Sequence, residues 1–399
     1  LSRREAIQLA RIFGIKNVMT GILKKHQNQV EVRGEIFDLD TSATIVAFKL
    51  RGTLDELPDL LSQSALDTLK TLGVKLPRRN RKYIRRRTPS SYRQFERAMN
   101  AYFLPEERAT ESAELWKKIA DEDPEFAFAY VEWAKRTAVE DPLNSYLTAQ
   151  KAYQKFLHNG RIHQLYIVSL YNNKRYKKAV EECEKFLKEN PDNPRVKWLM
   201  AFSYKEMEDY KNAVETLERA ALNHPHHWIM QYDCAWLALQ WAHKAQKGRY
   251  FSRLSSEEKQ IFRDSVRLAL KKLLSAVEIY PENGKIWTLL INAYRVNGYS
   301  ISYAERAFEK AYQLIPHNIQ AYQNLLWAYS YGYSNEPDRA RALIKRVTDD
   351  YPDDPEVYME GANFWWHTLR WNPSPPDYCR DEIAWLVDKA VELGGLTSK

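Results

Sequence analysis

Cysteine is scarce: Cys183, Cys234 and Cys379 are the only three in 399 residues. An odd count with neither disulfide nor zinc spacing argues against a disulfide framework or a metal knuckle, and each sits within or at the edge of a predicted helix as a small packing residue. Glycine is thin as well, at 13 residues, and no glycine-rich loop of the kind that cradles phosphates occurs. No apolar run approaches the roughly 18 residues that span a bilayer. The chain opens at Leu1, and no charged segment followed by an apolar one marks a leader. No local Ser/His/Asp or Cys/His arrangement stands out. The expectation is a protein that is not an enzyme and takes no cofactor.

Aromatic residues, by contrast, are abundant at 13%, with 12 Trp, so a core can be built although charged residues make up 28%. A chain of this length exceeds one ordinary core, which points to a stacked solenoid or to several domains. The net charge of +8 is local. Lys75, Arg78, Arg79, Arg81, Lys82, Arg85, Arg86 and Arg87 form a run without an acid, and the other 52 bases match the 52 acids.

The most informative stretch is Pro194 to Pro225. Met200, Ala201 and Tyr204 recur at helical spacing, a polar break follows at Glu208-Asp209, and Ala213, Leu217 and Ala220 resume the pattern. Pro225 lies 34 residues after Pro191. The second-helix pattern of small, large, small and Pro recurs at Ala179/Cys183/Phe186/Pro191, Ala269/Leu273/Ala276/Pro281, Ala304/Phe308/Ala311/Pro316 and Ala340/Ile344/Val347/Pro352. Fainter echoes are Ser112/Trp116/Ile119/Pro124 and Ile383/Val387/Ala390/Gly395. This period and these positions resemble the tetratricopeptide repeat, whose helix pairs bury their faces only against one another. The resemblance implies a mainly α protein, an α-α superhelix of about eight helix pairs over residues 90–399. An insertion near 242–262 leaves the repeat, with a helix start at Ser255-Ser256-Glu257-Glu258.

Ahead of the repeats, residues 1–73 read as a small α/β domain. A helix over 1–13 precedes strands at Asn17–Lys24, Val30–Ile36 and Thr44–Leu50, and Leu57, Leu61, Ala65, Leu69 and Leu72 mark a second, amphipathic helix. Gly14-Ile15, Val18-Met19-Thr20-Gly21 and Asp38-Leu39-Asp40-Thr41 resemble the FlgO-like or TolB-amino-terminal-like group; Ser42 stands where that group turns on Gly. The resemblance implies a strand ahead of the first helix, and bacteria as the source.

Residues 74–89 form a basic connector bounded by Pro77 and Pro89. Three readings stand: a solvated linker lying on an acidic face of its own repeats, a contact to an acidic protein or anionic lipid headgroups, and nucleic-acid binding. The last is disfavoured, because only Tyr83 is interleaved for stacking.

Two clusters invite chemistry. His224, His226 and His227 flank a repeat-closing proline without a carboxylate or Cys at ligand spacing, so a turn is the plainer reading than a metal site. Asp349, Asp350, Asp353 and Asp354 sit where helices end and begin, as caps rather than as a catalytic pair.

The family resemblance implies a groove lined by the first helix of each pair. Its residues here are Arg161, Gln164 and Tyr171, then Trp198, Phe202 and Lys205, then Trp236, Asn292, Arg295, Gln323, Trp327, Tyr331, Asn363 and Trp366. Aromatics and Arg dominate interface hot spots. Equally, Trp198, Trp236, Trp327 and Trp366 can pack between neighbouring repeats. The expected function is a protein-protein scaffold or assembly factor that binds a peptide or subunit, in a bacterial periplasmic or envelope complex or, alternatively, in the cytoplasm. Two alternatives are the sensory region of a membrane regulator or cyclase, and a nucleic-acid-associated adaptor.

Overall fold

The computed structural model describes residues 17–38, 41, 43–73, 92–157, 159–246, 248, 251–330 and 332–394. The expected helix over 1–13, the basic connector and Tyr331 lie outside them. The chain divides into two compact units, Leu1–His224 and Pro225–Lys399.

Three strands, β1 (Asn17–His26), β2 (Gln29–Asp38) and β3 (Thr44–Thr53), form an antiparallel meander in the order β1-β2-β3. Alternation along β2 buries Val30, Val32 and Ile36 on one face, as period two requires. Gln27 takes a left-handed φ of 54° in the turn between β1 and β2. Gly34 has a steric reason: a Cβ there would run into the Phe48 ring. Helix α1 (Leu57–Thr71) sets Leu57, with Leu60 and Leu61, against Val30 and Val32. The expected stripe along α1 needs correction. Ala65 is exposed, whereas Ser62, Ser64 and Thr68 are buried. Ser62 and Ser64 tolerate this by donating back to the Pro58 and Leu61 carbonyls, at 2.9 and 3.0 Å.

Beyond the connector the described residues form eight helix pairs. In the first unit these are α2 (Tyr92–Tyr102) with α3 (Ala109–Glu122), α4 (Ala127–Thr137) with α5 (Pro142–Lys155), α6 (Gly160–Asn172) with α7 (Tyr176–Glu189), and α8 (Pro194–Glu206) with α9 (Tyr210–Asn223). The second unit holds α10 (Trp228–Gln246) with α11 (Ser256–Ile279), and α12 (Gly284–Val296) with α13 (Ile301–Leu314). It ends with α14 (Ile319–Tyr329) and α15 (Pro337–Asp350), then α16 (Pro355–Trp371) and α17 (Cys379–Glu392). The fifth pair is long, at 19 and 24 residues, because the extra sequence extends both of its helices around a short turn, Phe251–Arg253. Ser255 and Glu258 close a reciprocal capping box at the start of α11.

Asn and Asp set several of the other helix starts. Asn159, Asn193, Asn283, Asn318 and Asp354 each accept a backbone N–H of the first turn they precede. The repeat positions then do what their sizes demand. Ala179, Cys183, Ala213, Leu217, Ala269, Leu273, Ala304 and Ala340 are all at most 1% exposed, so helices approach where the side chain is small and are filled where it is large. The last pair departs from the expected phase. Cys379, Leu386 and Ala390 are buried there, and Val387 is only half-buried.

First helices pack directly on first helices: α4 on α6 and α6 on α8 in one unit, and α10 on α12, α12 on α14 and α14 on α16 in the other. The result is a mainly α, tetratricopeptide-like solenoid preceded by a small three-stranded antiparallel sheet domain. No helix among the described residues is long and apolar enough to cross a membrane.

One core residue invites a test. The Tyr322 hydroxyl on α14 is fully buried and has no hydrogen-bond partner among the described residues, and burial pushes its ionisation far above the usual phenol range. Tyr322→Phe is therefore expected to raise stability, by about 1 kcal/mol, since it removes a polar group that folding desolvates without return. Urea unfolding measures this; a loss of similar size would mean that the hydroxyl is satisfied in solution.

Candidate functional site

In the first unit, α4, α6 and α8 turn one stripe each to the same side. Residues 161, 164 and 171 on α6, and 198, 202 and 205 on α8, recur at helical spacing on one face. None is in the closed core: Arg161 is exposed and the other five are half-buried. The guanidinium of Arg161 lies 4.8 Å over the Phe128 ring of α4, and its Nη2 is 3.5 Å from Glu132 Oε1. Lys135 Nζ reaches the same oxygen at 2.9 Å. One repeat on, Trp198 stacks on Phe202 with centroids 4.2 Å apart, and Tyr171 stands 6.5 Å from Trp198. Trp198 is half-buried. One side packs against the core of Ile167, Cys183, Phe186, Val196 and Leu199, and the remainder stays accessible. Lys205 pairs with Glu206 at 2.8 Å.

In the second unit the expected residues fall at different levels. Asn292 and Arg295 come together, with Nη2 donating to Asn292 Oδ1 at 2.6 Å. Arg295 and Trp327 line a cavity of about 850 Å³. Trp327 meets His367 edge-on at 4.9 Å. Trp236, Gln323, Asn363 and Trp366 do not line this cavity: the first two are half-buried, and Asn363 and Trp366 are exposed. Phe262, Arg263 and Tyr333 do line it, although sequence reasoning passed over them. The one available signal was the extra length of the fifth pair, whose lengthened second helix α11 supplies Phe262 and Arg263.

A basic surface outside the connector was also missed. Lys174, Arg175, Lys177 and Lys178 surround Tyr176 and Met207, with Arg175 set 4.6 Å over the Tyr146 ring. The run Lys-Arg-Tyr-Lys-Lys announces it in the sequence.

The clusters that invited chemistry have structural occupations. His224 Nε2 donates to the Asp192 carbonyl at 3.0 Å. Asp354 caps α16, Asp350 accepts from the Tyr312 hydroxyl at 2.7 Å, and Asp349 pairs with Lys345. Among the described residues, no group of three His, Cys, Asp or Glu is placed to hold a metal ion. All three cysteines are buried. Burial pushes the Cys183 thiol up to about 12 and that of Cys379 up to about 11, far from a reactive thiolate.

A family model for the tetratricopeptide repeat matches residues 170–233. No curated protein sequence matches the chain. Among solved structures, the chain is similar to YrrB, described as a TPR protein with an unusual peptide-binding site, at 18% identity and a TM-score of 0.37 over 52% of this chain and 96% of that one. It is similar to TTC0263 of Thermus thermophilus, a thermophilic TPR protein, at 18% identity and a TM-score of 0.37 over 52% and 100%. It is similar too to MamA of Desulfovibrio magneticus RS-1, at 17% identity and a TM-score of 0.37 over 48% and 92%.

Proposed function

We propose that the protein is a non-enzymatic scaffold whose first unit holds an extended peptide, or a segment of another subunit, across α4, α6 and α8. The observation that carries this reading is the row of half-exposed Phe128, Arg161, Tyr171, Trp198 and Phe202 on first helices that pack side by side. Large rings held rigid on one side and open on the other lose little entropy when a partner covers them, and such residues supply most of the energy of interfaces. Arg161, steadied by the buried Glu132, adds a polar register for the partner's backbone or charges. In the second unit, taken by itself, Gln323, Tyr331, Asn363 and Trp366 are proposed as contacts of the same kind.

The setting we infer is a bacterial envelope or periplasmic assembly, with residues 1–73 as a FlgO-like or TolB-amino-terminal-like domain, 74–89 as a basic connector and 90–399 as the repeat region. Only the sequence resemblance supports the setting, and cell fractionation of the native protein tests it. The connector's eight bases suit an acidic protein or anionic headgroups.

Affinity capture with mass spectrometry tests the binding row. Trp198→Ala with Phe202→Ala is expected to weaken capture of the bound protein by about 2 kcal/mol or more, roughly 30-fold, while the far-ultraviolet circular dichroism of the helices is unchanged. Capture at full strength by this double variant removes the proposal.

A further inference from the structure

Arg295 sits on α12 at the wall of the 850 Å³ cavity, its guanidinium 4.7 Å over the Tyr333 ring. One of its nitrogens donates to Asn292 Oδ1, but the Nε is fully buried and has no acceptor among the described residues. Nothing in the described lining neutralises it. Those lining residues include Arg263, Arg267 and Arg295 and no Asp or Glu. His243 gives no counter-charge: burial, then the nearby charge of Arg295, push its imidazole below the usual range.

A buried charge without a partner is expensive, and folded proteins supply one from within or from a ligand. Here the described lining supplies none. The remaining walls say what else the ligand carries. Phe262, Val266 and Trp327 line the interior, and Tyr299 and Tyr333 stand half-exposed above them. The volume lies within the range of small-molecule sites. A guanidinium fork matches a carboxylate in plane. At the rim Arg267 is partly neutralised by Asp264 at 3.6 Å, and Arg263 lies 5.2 Å over the Phe251 ring. The lining thus offers one positive charge, on the half-buried Arg295, that no carboxylate among the described lining residues answers, enough for a monoanion.

We propose that this cavity binds a small organic carboxylate with an aromatic or other flat apolar body, its carboxylate on Arg295 and its body against Trp327. The site is separate from the peptide-binding row on α4, α6 and α8, so either reading can fail alone.

Titration calorimetry of the full chain with 2-naphthoate tests it, with 2-naphthamide as the uncharged counterpart. Saturable binding of naphthoate is expected, at least tenfold tighter than that of the amide. Arg295→Met retains the length and apolar stem of the side chain while removing its charge. It is expected to weaken naphthoate binding at least tenfold and to leave amide binding and the thermal midpoint unharmed. If Arg295→Met does not fold, Arg295→Lys carries the test, since it keeps the charge but loses the planar fork, and a tenfold loss is again expected. Equal affinity for naphthoate and the amide, or unchanged affinity in the variant that folds, overturns the proposal. So does displacement of naphthoate by millimolar inorganic phosphate, which would make the site a general anion hole. Binding of the peptide Ac-Trp-Glu-Glu-Trp-NH2 without binding of naphthoate also overturns it, in favour of a peptide site.

Discussion

Trp365→Ala is expected to destabilise the second unit by about 3–5 kcal/mol, the range for truncating a fully buried large aromatic. The indole lies on α16, is 0% exposed, and meets Phe364 at 4.9 Å and Tyr378 edge-on at 5.4 Å. Tyr378 passes the contact on. Its hydroxyl donates to Asp338 at 3.1 Å, and Arg341 lies 4.5 Å over its ring while pairing with Glu382 at 2.6 Å. Removing the indole therefore opens a void and frees the ring that ties α15 to α17. Neighbouring backbone can collapse only partly into such a space. Trp365→Phe should cost far less. It retains most of the ring and deletes an indole N–H that is buried without an acceptor among the described residues. Thermal unfolding should show a fall of roughly 10 °C for the alanine variant. Hydrogen exchange should show the loss of protection concentrated in α15–α17, with the β1–β3 sheet unaffected. A fall of under about 1 kcal/mol for alanine, or equal costs for Phe and Ala, would contradict this account.

Trp365 also shows what the sequence made legible. Counting from the N-cap, it stands on α16 where Tyr204 stands on α8, a large packing position. Its neighbour Trp366, one residue on, is 55% exposed. A helix turns about 100° per residue, so adjacent tryptophans necessarily point apart, and only the phase of the repeat says which goes in. Where a closing proline and two flanking repeats fixed that phase, as at Ala213, Leu217 and Ala220, the reading and the structure coincide. In the last pair Gly395 stands where the other repeats have their closing proline. Ile383/Val387/Ala390 and Cys379/Leu386/Ala390 both fit a 3.6-residue period there, and packing selects the second. The caps Asn159, Asn283, Asn318 and Asp354 are polar and carry no hydrophobic signal, so the apolar pattern alone does not mark these helix starts. The cavity around Arg295 was beyond reach for another reason. Its walls join repeat positions such as Arg295, Trp327 and His367 to the lengthened fifth pair and to inter-helix turns, and the last two obey no repeat.

Acidification is expected to destabilise the first unit through one buried cluster, and Glu182→Ala should reproduce much of the loss at neutral pH. Glu182 on α7 is buried. Its carboxylate accepts from the Tyr153 hydroxyl of α5 at 3.1 Å, from His163 Nε2 of α6 at 3.0 Å and from Lys185 Nζ at 2.8 Å. Burial works to raise the Glu182 carboxyl, but Lys185, Tyr153 and His163 together hold it below the usual value. Burial also lowers His163, more than Glu182 raises it, and pushes the Tyr153 phenol up to about 12. The two acid-range shifts act in the same direction. His163 is lowered in the folded state from 6.5, so below that pH the unfolded chain takes up the proton first. Its contribution is complete above pH 6.5 and falls by up to about 1.4 kcal/mol per pH unit until the folded ring titrates. Glu182 is lowered from 4.5, so its contribution is present above that pH and is lost as pH falls through the folded value. His163→Gln keeps a donor for Glu182 and cannot titrate, and it should flatten the fall in unfolding midpoint between about pH 7 and pH 5.5. Glu182→Ala leaves the Tyr153 hydroxyl and His163 N–H buried without their acceptor, at a cost of about 2–4 kcal/mol near neutral pH. An unfolding midpoint in His163→Gln that follows the parent chain point for point across this range would show that the imidazole does not set the acid limb.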